Sequence, residues 1–392
     1  MIRLYNILVI FFILSGCACW FATFLDDEIK GVICVIMLFL WNKISSNTLN
    51  SIPYHLLCGV ILLGIVQLFS TRFDIISSSF STIMILTVCT PMLLSYQQKK
   101  ELLNTINVVF YYLVFASLVL HICKMLGLLP NVEMFERGHY IYQNYILYLY
   151  SPNYEFKCCG FCWEPGFFSL LLSALLLING YDFKKKQCKL YFLALFLTFS
   201  LGGYLLTIIG FIISRLITAK ISFINLLVKL FWFITILVVF YYIITFFWNG
   251  GNNIINELVL QKLLNTYSES SIFESRQSSD ALFLWNQIIN SDAKWFGLGY
   301  KQYDALRNQA AYYDAASISQ FILINGIIGT ILHIFAISYL CFKSMNPRYA
   351  ILGFSFLLLD FLQHGYGVMS SMFLLILLWI SYMNKKQKLC IK

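Results

Sequence analysis

Charge is what this chain has least of. Of its 392 residues, only 11% are Asp, Glu, Lys or Arg, against about 25% in a soluble domain. That shortage excludes a surface facing water on all sides. Proline is scarce too, at 6 residues. The chain also lacks several chemical signatures. It has no Walker phosphate loop, no dinucleotide glycine fingerprint, no metalloprotease histidine pair and no nucleophile-elbow serine. ATP-driven transport and conventional hydrolase chemistry lose their usual residues. There is no low-complexity tract and no repeat at solenoid spacing.

A secreted disulfide framework is missing as well, although there are 12 cysteines. Most of them, such as Cys17, Cys34, Cys58, Cys89 and Cys341, lie inside apolar runs, where they act as small hydrophobes. Cys158, Cys159 and Cys162 form a cluster. It has neither the paired spacing nor the nearby histidines of a metal site, so no metal or cofactor is expected. An extracytoplasmic disulfide stays open as a reading of these three.

What the chain has in abundance is apolar residues, at 60%, with 36 Phe and 25 Tyr. A membrane span needs about 20 such residues in a row. Candidate spans lie at 4–24, 29–42, 53–70, 75–95, 105–127, 164–181, 189–202, 203–219, 223–248, 316–341, 349–364 and 366–383. The expected fold is therefore an all-α, polytopic membrane bundle of about twelve helices, forming one domain over 1–392. The first run is too long and uniform for a cleaved signal and reads as a retained helix.

The net charge of +9 does not call for a nucleic-acid partner, because the excess sits in short loops, as membrane topology demands. With the N-terminus inside, alternating spans put 16 of the 27 basic residues in short cytoplasmic segments. The short outer turns hold only Lys30 and Arg72, and Lys229 falls inside a span. Both termini are thus expected in the cytoplasm. Two long extracytoplasmic loops remain, at 128–163 and 249–315.

Those loops hold the candidate site residues. In the second, Arg276 precedes Trp285, Trp295 and the Gly297-Leu298-Gly299 turn. A guanidinium fork near the membrane surface suits a phosphate or pyrophosphate, and a Gly-x-Gly turn lets backbone approach a ligand closely. A solvated loop arginine beside an interfacial tryptophan fits the same residues. The stretch Asp280–Ile289 has helical apolar spacing and is expected to lie along the membrane interface. In the first loop, Glu164 precedes Pro165 at a helix start. A carboxylate there is stabilised by the helix dipole and could serve as a base, bind a sugar hydroxyl or simply cap the helix. Arg137 and His139 are further candidates. Asp360 and His364 share a helix face at the outer end of a span, as a site or as a mutually satisfied pair. His121 and His333 read as packed structural residues.

The order of these features resembles the O-antigen polymerase and ligase family of bacterial envelope glycosyltransferases. The likeness covers roughly residues 155–340. It rests on Gly160-Phe161-x-x-Glu164-Pro165 and on Ser200-Leu201-Gly202-Gly203 between short helices. It rests also on Arg276 and Trp285, then Phe296-Gly297-Leu298-Gly299, Ala316-Ser317 and Gly326-Ile327-Ile328-Gly329. The resemblance implies metal-independent transfer from polyprenyl-pyrophosphate-linked oligosaccharide at the outer face of the bacterial inner membrane. Arg276 and Glu164 would be the catalytic residues. Arg137, Lys157, Arg307, Trp285, Gly297, Gly299, Tyr300 and His364 would form the substrate-binding set. A flippase and a chain-length regulator would be partners beside the bilayer. The chain departs from the family pattern in carrying Leu201 and Lys157 where arginines are common. Ligases carry a histidine where this chain has Asp314-Ala315-Ala316, which favours polymerase over ligase. A flippase of lipid-linked oligosaccharide is the remaining alternative, but it would need charges spread through many spans.

Overall fold

The computed structural model describes residues 1–16, 19, 27–44, 52–137, 140–154, 156–218, 235, 239, 279–309, 317–344, 347–364 and 371–391. Arg276, His139, most of the expected ninth span, Asp314–Ala316 and the Gly365–Gly367 turn lie outside the described residues.

The described chain is mostly helical. The first five helices are α1 (Ile2–Gly16), α2 (Asp27–Ile44), α3 (Tyr54–Ser70), α4 (Ile75–Cys89) and α5 (Tyr96–Met125). Then come α6 (Pro165–Ile178), α7 (Lys186–Leu197) and α8 (Leu201–Thr218). Three short helices follow, α9 (Ser279–Ile289), α10 (Ala293–Phe296) and α11 (Gly299–Gln309). The last are α12 (Ser317–Ser344), α13 (Pro347–His364) and α14 (Ser371–Ile391). By length and apolarity, Ile75–Leu93, Tyr96–Met125 and Ile318–Lys343 can cross a membrane, and five shorter apolar helices accompany them.

Local chemistry sets the helix boundaries. Asp74 caps α4 by accepting from the Ile76 amide. A 3-10 turn through Pro91 then closes α4. Ser95 and Gln98 form a reciprocal capping box at the start of α5, which satisfies two otherwise orphaned amides. Pro165 opens α6 at a position where its missing N–H costs nothing.

The helix termini sort into two ends. The end of α2 meets the start of α5 through Gln98 Nε2, which donates to the Ile44 carbonyl. Tyr96 stacks on Tyr382, Tyr5 of α1 bonds Thr90, and Asn179 after α6 bonds Asn107. These contacts define a lysine-rich end, with Lys43, Lys99, Lys100 and Lys184–Lys186. The opposite, loop-bearing end carries the segments 128–163 and 279–309. It is joined by an antiparallel backbone β-bridge between residues Cys19 and Cys162, by the Cys158 amide donating to Leu197 at the end of α7, and by Arg72 bonding Leu298.

Two helices form the centre. Leu170–Leu177 of α6 and Met372–Ile380 of α14 are buried on every face, the mark of an interior helix. By contrast α2 turns Val32, Val35 and Phe39 outward, each about 60% exposed. A ring of exposed aliphatic side chains around a buried core is what lipid, not water, tolerates. In lipid, apolar area alone does not join helices, so small and hydroxylated residues do so. The α6–α8 contact is made this way. Ser173 donates to the carbonyls of Ser169 and Gly203, and Thr207 donates to Ser173.

The all-helical expectation needs one correction. The first loop holds a three-stranded antiparallel sheet, β1 (Met134–Arg137), β2 (Tyr140–Asn144) and β3 (Leu149–Tyr150), in the order β1-β2-β3. Tyr142 and Gln143 of β2 are both buried, so the strand is held by its neighbours on either side rather than by a simple alternation of polar and apolar residues. The helix expected at Asp280–Ile289 is present. Its buried stripe of Ala281, Leu284 and Ile288 packs beside Leu298, Tyr303, Leu323 and Ile324, while Phe283 faces outward.

Candidate functional site

The loop-bearing end has two polar centres. The first surrounds Glu164. The sheet is fixed to α5 by residues on one helix face, spaced four and three apart. Ser117 Oγ donates to the Leu147 carbonyl at 2.5 Å, and His121 Nδ1 shares a 2.9 Å hydrogen bond with the Tyr148 hydroxyl. Lys124 Nζ donates to the Tyr145 hydroxyl at 2.8 Å and lies over the rings of Tyr145 and Tyr150. Beyond the sheet, the chain returns through Gly160, whose carbonyl accepts from Leu149, and enters α6.

Glu164 occupies the N-cap position of α6 in extended conformation, and its carboxylate makes no capping bond. The side chain is half-buried. Burial pushes the Tyr154 hydroxyl well above the phenol range, and the Glu164 charge adds to that. The Cys159 thiol is raised chiefly by burial, further by Cys158 and Glu164, and is opposed by Lys157. Glu164, Lys157, Tyr154 and Cys159 therefore share one small electrostatic neighbourhood. Aromatic rings floor it. Tyr142 meets Trp163 edge to face at 5.1 Å, and Tyr140 stacks on Tyr154 at 5.2 Å. Arg137 pairs with Tyr140 in the β1–β2 ladder. Cys158, Cys159 and Cys162 are buried free thiols, so they form no disulfide.

The Ser200–Gly203 segment lies against the same helix. Ser169 and Ser200 meet oxygen to oxygen at 2.9 Å. A β-carbon on Gly203 would sit 2.4 Å from that of Ser169. The structure thus brings the Gly160–Pro165 and Ser200–Gly203 motifs together.

The second centre surrounds the Gly-x-Gly turn. Helix α12 breaks at Gly326 (φ 72°, ψ 175°). The break frees the Leu323 carbonyl, and Leu298 N donates to it at 2.7 Å. Asn325, fully buried, donates to the Phe321 carbonyl and accepts from Ser70 Oγ. Arg72 Nε donates to the Leu298 carbonyl at 2.8 Å. The Gly297-Leu298-Gly299 turn therefore approaches a broken helix and an arginine side chain. Lys301 acts on Asp74, whose carboxyl is held below its ordinary value first by its bond from Ser77 and also by that lysine.

The remaining expected residues are placed as follows. Trp285 is partly buried against the Leu284–Ile288 cluster, Tyr300 is half-exposed, and Arg307 is exposed in the last turn of α11. His364 ends α13, one turn after the buried Asp360. His333 packs between Phe321 and Phe361, at 4.9 Å from each ring. Sequence reading missed Arg72 and Lys124 as organising residues. For Lys124 a signal existed: Ser117, His121 and Lys124 fall on one face at the end of a long span.

A scan of protein-family models finds no match, and comparison with curated proteins and with solved structures likewise yields no similar chain.

Proposed function

We propose that this protein is a membrane glycosyltransferase that joins polyprenyl-pyrophosphate-linked oligosaccharide units into a longer polysaccharide. The proposal places about twelve spans and both termini around a cytoplasmic lysine-rich end, with the loop-bearing end outside the inner membrane. One observation carries it. The segments holding the Glu164 motif and the Gly297–Gly299 motif, more than a hundred residues apart, belong to the same end of the bundle.

In the reaction, an acceptor sugar hydroxyl attacks the anomeric carbon of the donor. The new glycosidic C–O bond forms as the bond from that carbon to the lipid pyrophosphate breaks. Glu164 takes the hydroxyl proton, and the pyrophosphate leaves with the bonding electrons. Charge grows on the leaving group, so a fixed cation there stabilises the transition state more than the ground state. Arg276 is assigned that role, with Lys157, Arg137 and Arg307 as further cations and the rings of the β-sheet as a sugar-facing surface. The half-buried carboxylate beside a helix N-terminus and a lysine supports the assignment of Glu164.

The test is an Arg276→Ala chain expressed in a strain whose own gene has been deleted. Single lipid-linked units without long chains are expected, with normal membrane insertion. Lysine at that position should rescue poorly, since it lacks the bidentate fork. Long chains at normal amount would overturn the proposal. Loss of transfer of finished glycan to a second acceptor, with polymer intact, would indicate a ligase instead.

A further inference from the structure

We infer that the lysine-rich end of the bundle holds a binding site for a phosphate group, separate from the loop-bearing end. A cavity of about 290 Å³ opens there between α5, the end of α6, the start of α7, α8, α13 and α14. Lys100, Asn104 and Asn107 line it from α5, at spacings of four and three that put them on one helix face. Lys185, the N-cap of α7, lines it from the other side. Among the described residues, no carboxylate lines it.

The donors are what make this a site rather than a gap. Lys100, Asn104 and Lys185 are exposed, and among the described residues neither the Lys100 nor the Lys185 ammonium has a hydrogen bond or ion pair. The Asn104 amide has no partner either. Asn107 spends its side-chain oxygen on Asn179 Nδ2, at 2.6 Å, and its backbone carbonyl on the Tyr191 hydroxyl. Its own amide nitrogen is left with two hydrogens for a ligand. Among the described residues, the polar part of the wall thus carries two positive charges and the three carboxamides of Asn104, Asn107 and Asn179. That combination matches a phosphate oxygen cluster and repels a metal ion. Tyr349, packed edge to face on Trp379, supplies an aromatic rim of the kind found where a membrane meets water. A basic pocket between helices at such a level takes an anionic lipid head group, and a soluble phosphate ester presents the same chemistry.

The inference does not depend on the glycosyl-transfer reading, and binding is measured without turnover. The full chain, purified in a neutral detergent, is titrated with short-chain phosphatidylglycerol, short-chain phosphatidylcholine or glycerol phosphate while thermal stability is followed. Saturable stabilisation by phosphatidylglycerol is expected, and much less by phosphatidylcholine. Equal potency of glycerol phosphate would identify a soluble ester as the ligand and still support the site. The pair Lys100→Gln/Lys185→Gln should raise the half-saturating concentration at least tenfold. Asn104→Leu, which keeps both charges, should raise it severalfold. The pair Lys184→Gln/Lys189→Gln, exposed at the same end but outside the cavity, should leave it unchanged. Absence of saturation with every ligand, or equal effects of the two lysine pairs, overturns the site.

Discussion

Gly297 and Gly326 meet backbone to backbone. Gly297 has φ 71° and ψ −175°, and Gly326 has φ 72° and ψ 175°. This region of the backbone map is essentially open to glycine alone. A β-carbon on Gly297 would lie 2.2 Å from the Ile324 carbonyl oxygen, and one on Gly326 would lie 2.3 Å from that of Trp295. The contact lets the chain after α10 donate into the break in α12.

Alanine at either glycine should therefore be severely disruptive. The conformation alone costs on the order of 1–3 kcal/mol, and the clash is with backbone, which cannot swing aside. We expect Gly297→Ala and Gly326→Ala each to lower thermal stability by several degrees or to prevent accumulation. Gly127 supplies the control, since it has φ 71° but open space where the methyl would go. If Gly127→Ala were as damaging as the other two, the close approach would not be the cause.

Arg72 makes a narrower prediction. Its Nε–H donates to Leu298, and its side chain also packs on Gly299. Arg72→Ala should leave the Leu298 carbonyl to solvent and loosen α10 and α11 from α3. Faster amide hydrogen exchange over 293–307, with little change in α6, is the expected readout. Uniform acceleration across the chain would mean a global rather than local role.

The cysteine cluster yields a chemical test. Cys158 and Cys159 are fully buried, and burial pushes the Cys158 thiol up to about 12. Thiolate is the reactive form, so little exists at neutral pH. In variants keeping only one of these cysteines, maleimide at pH 7.5 should label neither until the protein is unfolded. Prompt labelling of folded protein would contradict the burial of this loop against α7.

Much of this architecture was legible in the sequence, because a bilayer forces hydrophobic runs that composition displays. The helices at 54–70, 75–89 and 165–178 lie close to the apolar runs that announced them. The sheet at 134–150 was not legible as such. Its strands are two to five residues long, and their partners are set by Ser117, His121 and Lys124 on a distant helix. The glycine contact was legible only as a flexible turn. Nothing local to Gly297 reveals that its neighbour is Gly326, because that pairing depends on where α12 breaks. The Glu164–Pro165 helix start was readable from two adjacent residues, whereas its company of Lys157, Tyr154 and Cys159 required the folded loop.

Tyr148 tests how the sheet is held. Its hydroxyl is the hydrogen-bond partner of buried His121. Tyr148→Phe keeps the ring but strands an imidazole nitrogen, a change that costs about 1–3 kcal/mol for a buried polar group. Protease cleavage within 128–163 should speed up by roughly the corresponding factor. His121→Phe in the same background should restore part of the loss by removing the stranded group. No recovery in the double variant would show that the hydrogen bond is not what fixes the loop.

The last prediction separates the two roles open to Glu164, base and cap. The carboxylate does not cap α6, so a purely structural role would act through its other contacts in the folded loop or through charge near the positive end of α6. Glu164→Gln removes the charge while keeping size and one accepting oxygen. Stability should then fall by no more than about 1 kcal/mol, the scale of a charge at a helix N-terminus. Polymer formation should nevertheless fall by about 10²–10⁴, the usual contribution of a positioned proton acceptor. Glu164→Asp keeps a proton acceptor one methylene away and should retain more activity than Gln. The measurements are melting temperature in detergent and the rate of chain growth from lipid-linked units. If Glu164→Gln lowers stability and activity in proportion, the residue supports the helix and does not take the proton. If it leaves chain growth intact, the base must be sought elsewhere, and Tyr154 is a poor substitute because its hydroxyl is held above the phenol range.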